Sequence, residues 1–306
     1  PPRSTLFPYT TLFRSLSHLK VREAMRRLTV HLPRDASLEK AARFTIKYKV
    51  NALLVTGQDL EPVGVISKTD LMGAYYAEMP LETPVESVMM APPLFCRMED
   101  SLEAALESMR AHRVHRLFVL GDDSPEAVGV LANPDIVGLL YRYCHQCERS
   151  IIRSRSAGAD KSFADRFTVA EVMTPSVQAH RRNESLTQVM EGLSAHRLGA
   201  VLIIDEAGLP VGVLSKTDLI VAYKHGVPTT TRAEAIMHAP VTTCHQEAPL
   251  ALAIHKMIFS DVYRLFVHRH DPKNIVGVLS LTDAARIRSG SCRACMSSRI
   301  EIESAL

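Results

Sequence analysis

A serine, a threonine and an aspartate recur at fixed spacing in this chain, and together they could do chemistry. Ser67-Lys68-Thr69-Asp70 and Ser215-Lys216-Thr217-Asp218 sit in two nearly identical passages, PVGVISKTDL (62–71) and PVGVLSKTDL (210–219). Ser280, Thr282 and Asp283 repeat the pattern. Asp135 keeps the acid of a further copy, in which Ala132 and Pro134 replace the hydroxyls. Where a strand ends and a helix opens, backbone N–H groups point outward and favour an anionic group. A carboxylate two or three residues along can accept both hydroxyls of a ribose, while Ser and Thr add contacts to sugar or phosphate. The same residues are good helix N-caps, and their chemistry alone leaves both roles open.

A second pattern runs the other way. HRLFV (115–119) and YRLFV (263–267) place Arg116 and Arg264 on otherwise apolar strands, where the aligned positions of the other copies hold Ala52 and Ala200. A guanidinium taken out of water needs a partner. Phosphate suits its planar fork of donors; a nearby carboxylate or an edge position reaching water would also serve. If acids face guanidiniums across a cleft, two equivalent sites follow. One joins Ser67, Thr69 and Asp70 to Arg116 and His115, the other joins Ser215, Thr217 and Asp218 to Arg264. The turn at Asp135 should be the poorest of the four. Val, Leu and Ile of facing strands would sandwich a base, and Cys96 and Cys244 read as small buried core residues.

The remaining cysteines form two C-x-x-C pairs, Cys144/Cys147 and Cys292/Cys295, each beginning nine residues beyond an aspartate of the series. Brought together, four thiolates would make a tetrahedral zinc site. An iron–sulfur cluster uses the same ligands, redox-active dithiols are a third option, and four idle thiols a fourth.

These residues are positioned by a repeat. A shift of 148 residues aligns Met25 with Met173, Gly64 with Gly212, Asp70 with Asp218, Arg116 with Arg264 and all six cysteines in pairs. Each half divides again, since VGVIS and Asp70 return as VGVLA and Asp135. Four units result, at 19–76, 84–147, 167–226 and 232–292, with a polar, basic linker at 148–166 and a tail at 293–306. Residues 1–15 resemble the conceptual translation of a sequencing-library adapter and are set aside, the native N-terminus being expected elsewhere. Each unit opens on V-x-x-x-M, passes through a short extended stretch, and starts a helix at a Ser-Leu step, with Ser37 and Ser185 as N-caps. Two apolar runs rich in β-branched residues follow and read as paired strands, then a second helix begins at the aspartate. The unit is β-α-β-β-α.

Four such units in register, with V-x-x-x-M openings and G-V-h-S-x-T-D closings, resemble CBS (cystathionine-β-synthase-type) domains over about residues 19–292. The resemblance implies an α/β (α+β) fold of two pseudo-two-fold Bateman modules, assembled as one disc. It also implies that the aspartates and neighbouring hydroxyls hold ribose and phosphate of an adenosine ligand, AMP, ADP or ATP. HRLFV is similar to a strand of the γ subunit of AMP-activated protein kinase that meets nucleotide phosphates. The C-x-x-C pairs depart from the family pattern.

Composition narrows the alternatives. Hydrophobic content of 46% and charged content of 23% are those of an ordinary globular chain. A net charge of +3 gives no basic stripe for nucleic acid, and no apolar run is long enough to span a membrane. There is no Gly-rich phosphate loop, G-x-S-x-G elbow or H-E-x-x-H, and the repeats use all the well-patterned length, so an enzyme is not expected. The expected protein is a cytoplasmic, non-catalytic nucleotide sensor with an unknown protein target, and a homodimer is compatible. A metal- or redox-sensing interaction protein built on the four tail cysteines is the alternative.

Overall fold

Polar caps between apolar runs set the alternation of elements. The structure is a computed structural model and describes residues 19–112, 114, 116–121, 126–132, 135, 139, 167–260, 262–280 and 283. A short helix α1 (Val21–Ala24) precedes β1 (His31–Pro33), α2 (Leu38–Lys47), β2 (Ala52–Thr56), β3 (Pro62–Ser67) and α3 (Lys68–Tyr76). The next repeat gives β4 (Phe95–Arg97), α4 (Leu102–Ala111), β5 (Arg116–Leu120) and β6 (Ala127–Ala132). The third gives β7 (Ala179–Arg181), α5 (Leu186–Ala195), β8 (Ala200–Ile204), β9 (Pro210–Ser215) and α6 (Lys216–Lys224). The fourth gives β10 (Thr243–His245), α7 (Leu250–Phe259), β11 (Arg264–His268) and β12 (Ile275–Ser280). The mixed α/β expectation holds, and the first and third repeats show β-α-β-β-α in full, while the second helix of the other two lies outside the described residues.

Each repeat makes a three-stranded sheet in chain order, its first strand parallel to the second and the second antiparallel to the third. The helix between the parallel strands covers one face. In α2 the buried residues are Leu38, Ala41, Ala42 and Thr45, and in α5 they are Leu186, Val189, Met190 and Leu193, the spacing of one helical face. Both caps fall where the sequence puts them: Ser37 Oγ accepts from Lys40 N at 3.2 Å and Ser185 Oγ from Gln188 N at 3.3 Å.

The openings do not pair with the sheets that follow them in sequence. Arg26 exchanges two backbone hydrogen bonds of 2.9 Å with Val130 of β6, and Met90 does so with Val65 of β3, at 2.8 and 2.9 Å. Thr174 pairs in the same way with Val278 of β12, and His238 with Val213 of β9. Each contact seats a methionine over the glycine of a V-G-V strand. A β-carbon on Gly277 would lie 2.6 Å from Met173 Sδ and 2.9 Å from the Thr174 carbonyl oxygen. On Gly129 it would lie 2.6 Å from the Arg26 carbonyl oxygen, and Met237 and Met89 crowd Gly212 and Gly64 alike. The glycine and the methionine, which come from different repeats, are one packing unit.

The chain forms two compact units. One contains the described residues up to Thr29 together with the second repeat; its core includes Val21, Ala24, Leu102, Leu117, Val119 and Leu131. The other contains residues 30–93 with the third and fourth repeats. There α3 packs on α6, joining the cores of the first and third repeats. The joint is reciprocal: Tyr75 and Tyr223 stack at 5.2 Å, the Tyr75 hydroxyl donates to the Val227 carbonyl at 2.7 Å, and the Tyr223 hydroxyl donates to the Met79 carbonyl at 2.6 Å. Burial, with Glu78 beside Tyr75 and Glu82 beside Tyr223, pushes both phenols up to about 12.

Two outcomes are expected. Gly277→Ala should lower the free energy of unfolding by about 1–3 kcal/mol through overpacking. Gly73→Ala, with open space around the same exposed position of α3, should raise it by about 0.5–1 kcal/mol; urea unfolding of both variants measures the difference in sign. The raised phenols favour the neutral form in the folded state, so their contribution is complete below about pH 10 and is lost as pH rises through about 12. Spectroscopic titration should show a late tyrosine step, and Tyr75→Phe with Tyr223→Phe should diminish it.

Candidate functional site

Three of the acidic turns are capping boxes first, and the Asp135 turn keeps only the carboxylate half of one. Asp70 Oδ2 accepts from Ser67 N at 2.7 Å, while Ser67 Oγ accepts from the backbone of Thr69 and Asp70 at 3.2 and 3.4 Å. Asp218 Oδ2 accepts from both Ser215 N and Ser215 Oγ at 2.7 Å. Asp283 Oδ2 accepts from Ser280 N at 2.9 Å and Ser280 Oγ at 2.6 Å, and Asp135 Oδ2 from Ala132 N at 3.0 Å. A cap of this kind consumes one carboxylate oxygen and leaves the other for a second partner. The capping role and the ligand role are therefore compatible.

The second partner differs from turn to turn, and it comes from the crossed-over opening. Arg26 Nε reaches both oxygens of Asp135, at 3.1 and 3.3 Å. His238 Nε2 lies 2.8 Å from Asp218 Oδ1. Met90 holds the equivalent place in the turn of Asp70. Burial raises the Asp135 carboxyl above its usual range, against the opposing pull of Arg26, the Ala132 N–H and Arg116.

Thr69 and Thr217 face across the α3–α6 joint. Lys216 Nζ donates to Thr69 Oγ1 at 3.0 Å, and Lys68 Nζ donates to Thr217 Oγ1 at 2.9 Å. Burial pushes the Lys216 ammonium below its usual range; Asp70 opposes that shift and Arg264 adds to it. Lysine at the first helical position reads in sequence as a solvated charge, so neither Lys68 nor Lys216 was expected here.

Arg264 pairs in register with Ser280 at the start of β11, and its Nη1 donates to the Ala200 carbonyl at 3.3 Å. Its Nη2 lies 2.6 Å from where Gly199 would carry a β-carbon. Ala200 is the strand partner of Ser215, so the guanidinium stands at the edge of the Ser215–Asp218 turn. Burial lowers the guanidinium from its usual range while Asp283 acts to raise it. The structure thus brings Arg264 to Ala200 beside Ser215, whereas Thr217 turns toward Lys68. Arg116 pairs with Ala132 and has Asp135 of its own repeat nearby; Asp70 and Arg116 belong to different compact units.

His115, Thr282 and the C-x-x-C residues Cys144, Cys147, Cys292 and Cys295 lie outside the described residues. Among the described residues no group of three or more His, Cys, Asp or Glu could hold a metal ion. Cys96 and Cys244 are buried free thiols, pushed by burial up to about 12 and about 11.

A family model described as the CBS domain matches residues 21–77, 85–142, 169–225 and 233–290. The chain belongs to the CBS domain family. It is similar in fold to a Methanocaldococcus jannaschii protein described as a proposed archaeal homolog of g-AMPK, with TM-score 0.67 and 17% identity over 88% of this chain and 99% of that one. An uncharacterized conserved protein of Pyrococcus horikoshii superposes with TM-score 0.51 and 18% identity, over 88% of this chain and 100% of that one. The chain spans less than two thirds of the curated relatives it matches. It covers 26% of a homoserine O-acetyltransferase of Methanosphaerula palustris and 62% of an uncharacterized protein of Methanopyrus kandleri. Each is 24% identical, over 43% and 39% of this chain respectively. Among the described residues no helix is long and apolar enough to cross a membrane.

Proposed function

We propose that this CBS-domain chain is a non-catalytic regulatory protein that binds an adenosine nucleotide, AMP, ADP or ATP, at its Ser-x-Thr-Asp turns. The observation that carries the reading is the cationic edge of the Ser215–Asp218 turn, where Arg264 lies against Ala200 and Lys216 is drawn out of water. Two desolvated cations beside a helix N-terminus favour a bound anion, and a phosphate supplies it. The oxygen that the cap leaves on Asp218 or Asp70 accepts the ribose hydroxyls, and Ser215 and Thr217 contribute further contacts. Ser280, Asp283 and Asp135 carry the weaker turns.

Output follows from linkage: a nucleotide with different affinity for two arrangements of the repeats shifts their populations, which a cytoplasmic protein partner reads. CBS domains are usually regulatory, and this chain matches about a quarter of the acetyltransferase's length, so acyl-transfer chemistry is not carried over from it. The metal- or redox-sensing alternative has no described residue behind it.

Calorimetric titration with AMP, ADP, ATP, S-adenosylmethionine and NADH should give saturable binding of at least one. Asp70→Asn combined with Asp218→Asn keeps a cap acceptor but removes the charge, and should weaken that binding at least about tenfold. A double variant that binds all five as the parent does would remove the site assignment.

A further inference from the structure

We infer that the residue following the opening methionine, at 26, 90 and 238, decides how open the turns of Asp135, Asp70 and Asp218 are to a ligand. The inference rests on the nucleotide reading and deepens it. These positions are equivalent by backbone pairing: Arg26 with Val130, Met90 with Val65 and His238 with Val213. Each pairing brings the side chain to the turn that closes the same strand.

The three outcomes form a graded series. At Asp135 the Arg26 guanidinium reaches both carboxylate oxygens, at 3.1 and 3.3 Å, and takes the fork that a ribose diol would use. At Asp218 the imidazole of His238 holds Oδ1 at 2.8 Å while the cap holds Oδ2, so a ribose must displace a side chain. His238 is 81% exposed and Asp218 11%, which makes the imidazole a removable cover over a recessed acid. At the Asp70 turn the equivalent position holds Met90, 66% exposed, whose thioether has no proton to give a carboxylate. Asp70 is therefore the open turn, Asp218 the covered one, and Asp135 the turn closed by its own chain. Residue 238 sets the difference between two turns that otherwise match letter for letter from Ser to Asp.

Titration of the full chain with AMP tests this, using Asp70→Asn and Asp218→Asn singly to label the two sites. The parent should show a tighter site lost on Asp70→Asn and a weaker one lost on Asp218→Asn. His238→Met should tighten the weaker site by about threefold to fivefold, the range of one exposed hydrogen bond, and Met90→His should weaken the tighter one by a similar factor. His238→Gln keeps a donor and should behave as the parent, which separates the cover from any general disturbance of the opening. An unchanged weaker site in His238→Met, or a weaker site that disappears with Asp70→Asn, overturns the inference and leaves the nucleotide reading standing. Absence of AMP binding in the parent, with binding of another adenosine ligand, moves the same titrations to that ligand and the same two results decide it. Absence of all binding removes both readings.

Discussion

A methionine sulfur lodged where a glycine has no β-carbon fixes each opening segment on a strand it does not adjoin in sequence. The rest of the structure depends on that contact. It closes a backbone pairing only one residue wide, too small to persist without a side chain seated in the notch. It also aims the next residue at an acidic turn. Arg26 and His238 reach Asp135 and Asp218 because Met25 and Met237 are already seated. One apolar contact thus positions the polar chemistry.

The turns show how a structural role and a binding role share one residue. The capping box needs one carboxylate oxygen and one hydroxyl, and by ordinary magnitudes is worth about 1 kcal/mol to its helix. That alone would justify Ser and Asp at the turns of Asp70, Asp218 and Asp283. It does not account for the crossed lysines, Lys68 to Thr217 and Lys216 to Thr69, which put an ammonium from one turn on the hydroxyl of the other. Nor does it account for Arg264 lying across Gly199 and Ala200. Those features concentrate positive charge where helix N-termini already favour anions.

The sequence and the structure agree most closely where the signal is periodic. Four repeats in register, helical spacing in α2 and α5, and caps at Ser37 and Ser185 are local patterns read by counting. The crossed openings carry no such pattern. A single bridge per opening has no period, and V-x-x-x-M looks the same whichever sheet it meets. The pairing of methionine with glycine was visible as two invariant letters of the repeat, but their contact is made in space. Likewise, position 238 is a variable letter among the repeats, and its role appears only when His238 is seen against Asp218.

The Arg264–Ala200 exchange at the head of the second strand follows from volume. Arg264 fits because Gly199 and Ala200 leave room over the third repeat's backbone, so a larger residue there would expel the guanidinium. The same compensation occurs away from the turns. The first repeat places Leu32, Ala36 and Phe44 where the third places His180, Glu184 and Gly192. His180 occupies the space over Gly192 and pairs with Glu184 at 2.6 Å. Burial works against the charge on Glu184, yet the Arg181 N–H and His180 hold its carboxyl below the usual range. A large side chain was exchanged for none, and a leucine for an imidazole that fills the gap and is held by Glu184. Duplicated halves of one chain diverge by such matched steps, because an unmatched step leaves either a void or an unpaired charge. By that reasoning the difference between Met90 and His238 is the informative one: both are largely exposed, and of the two the imidazole can hold the acid of its turn where a thioether cannot.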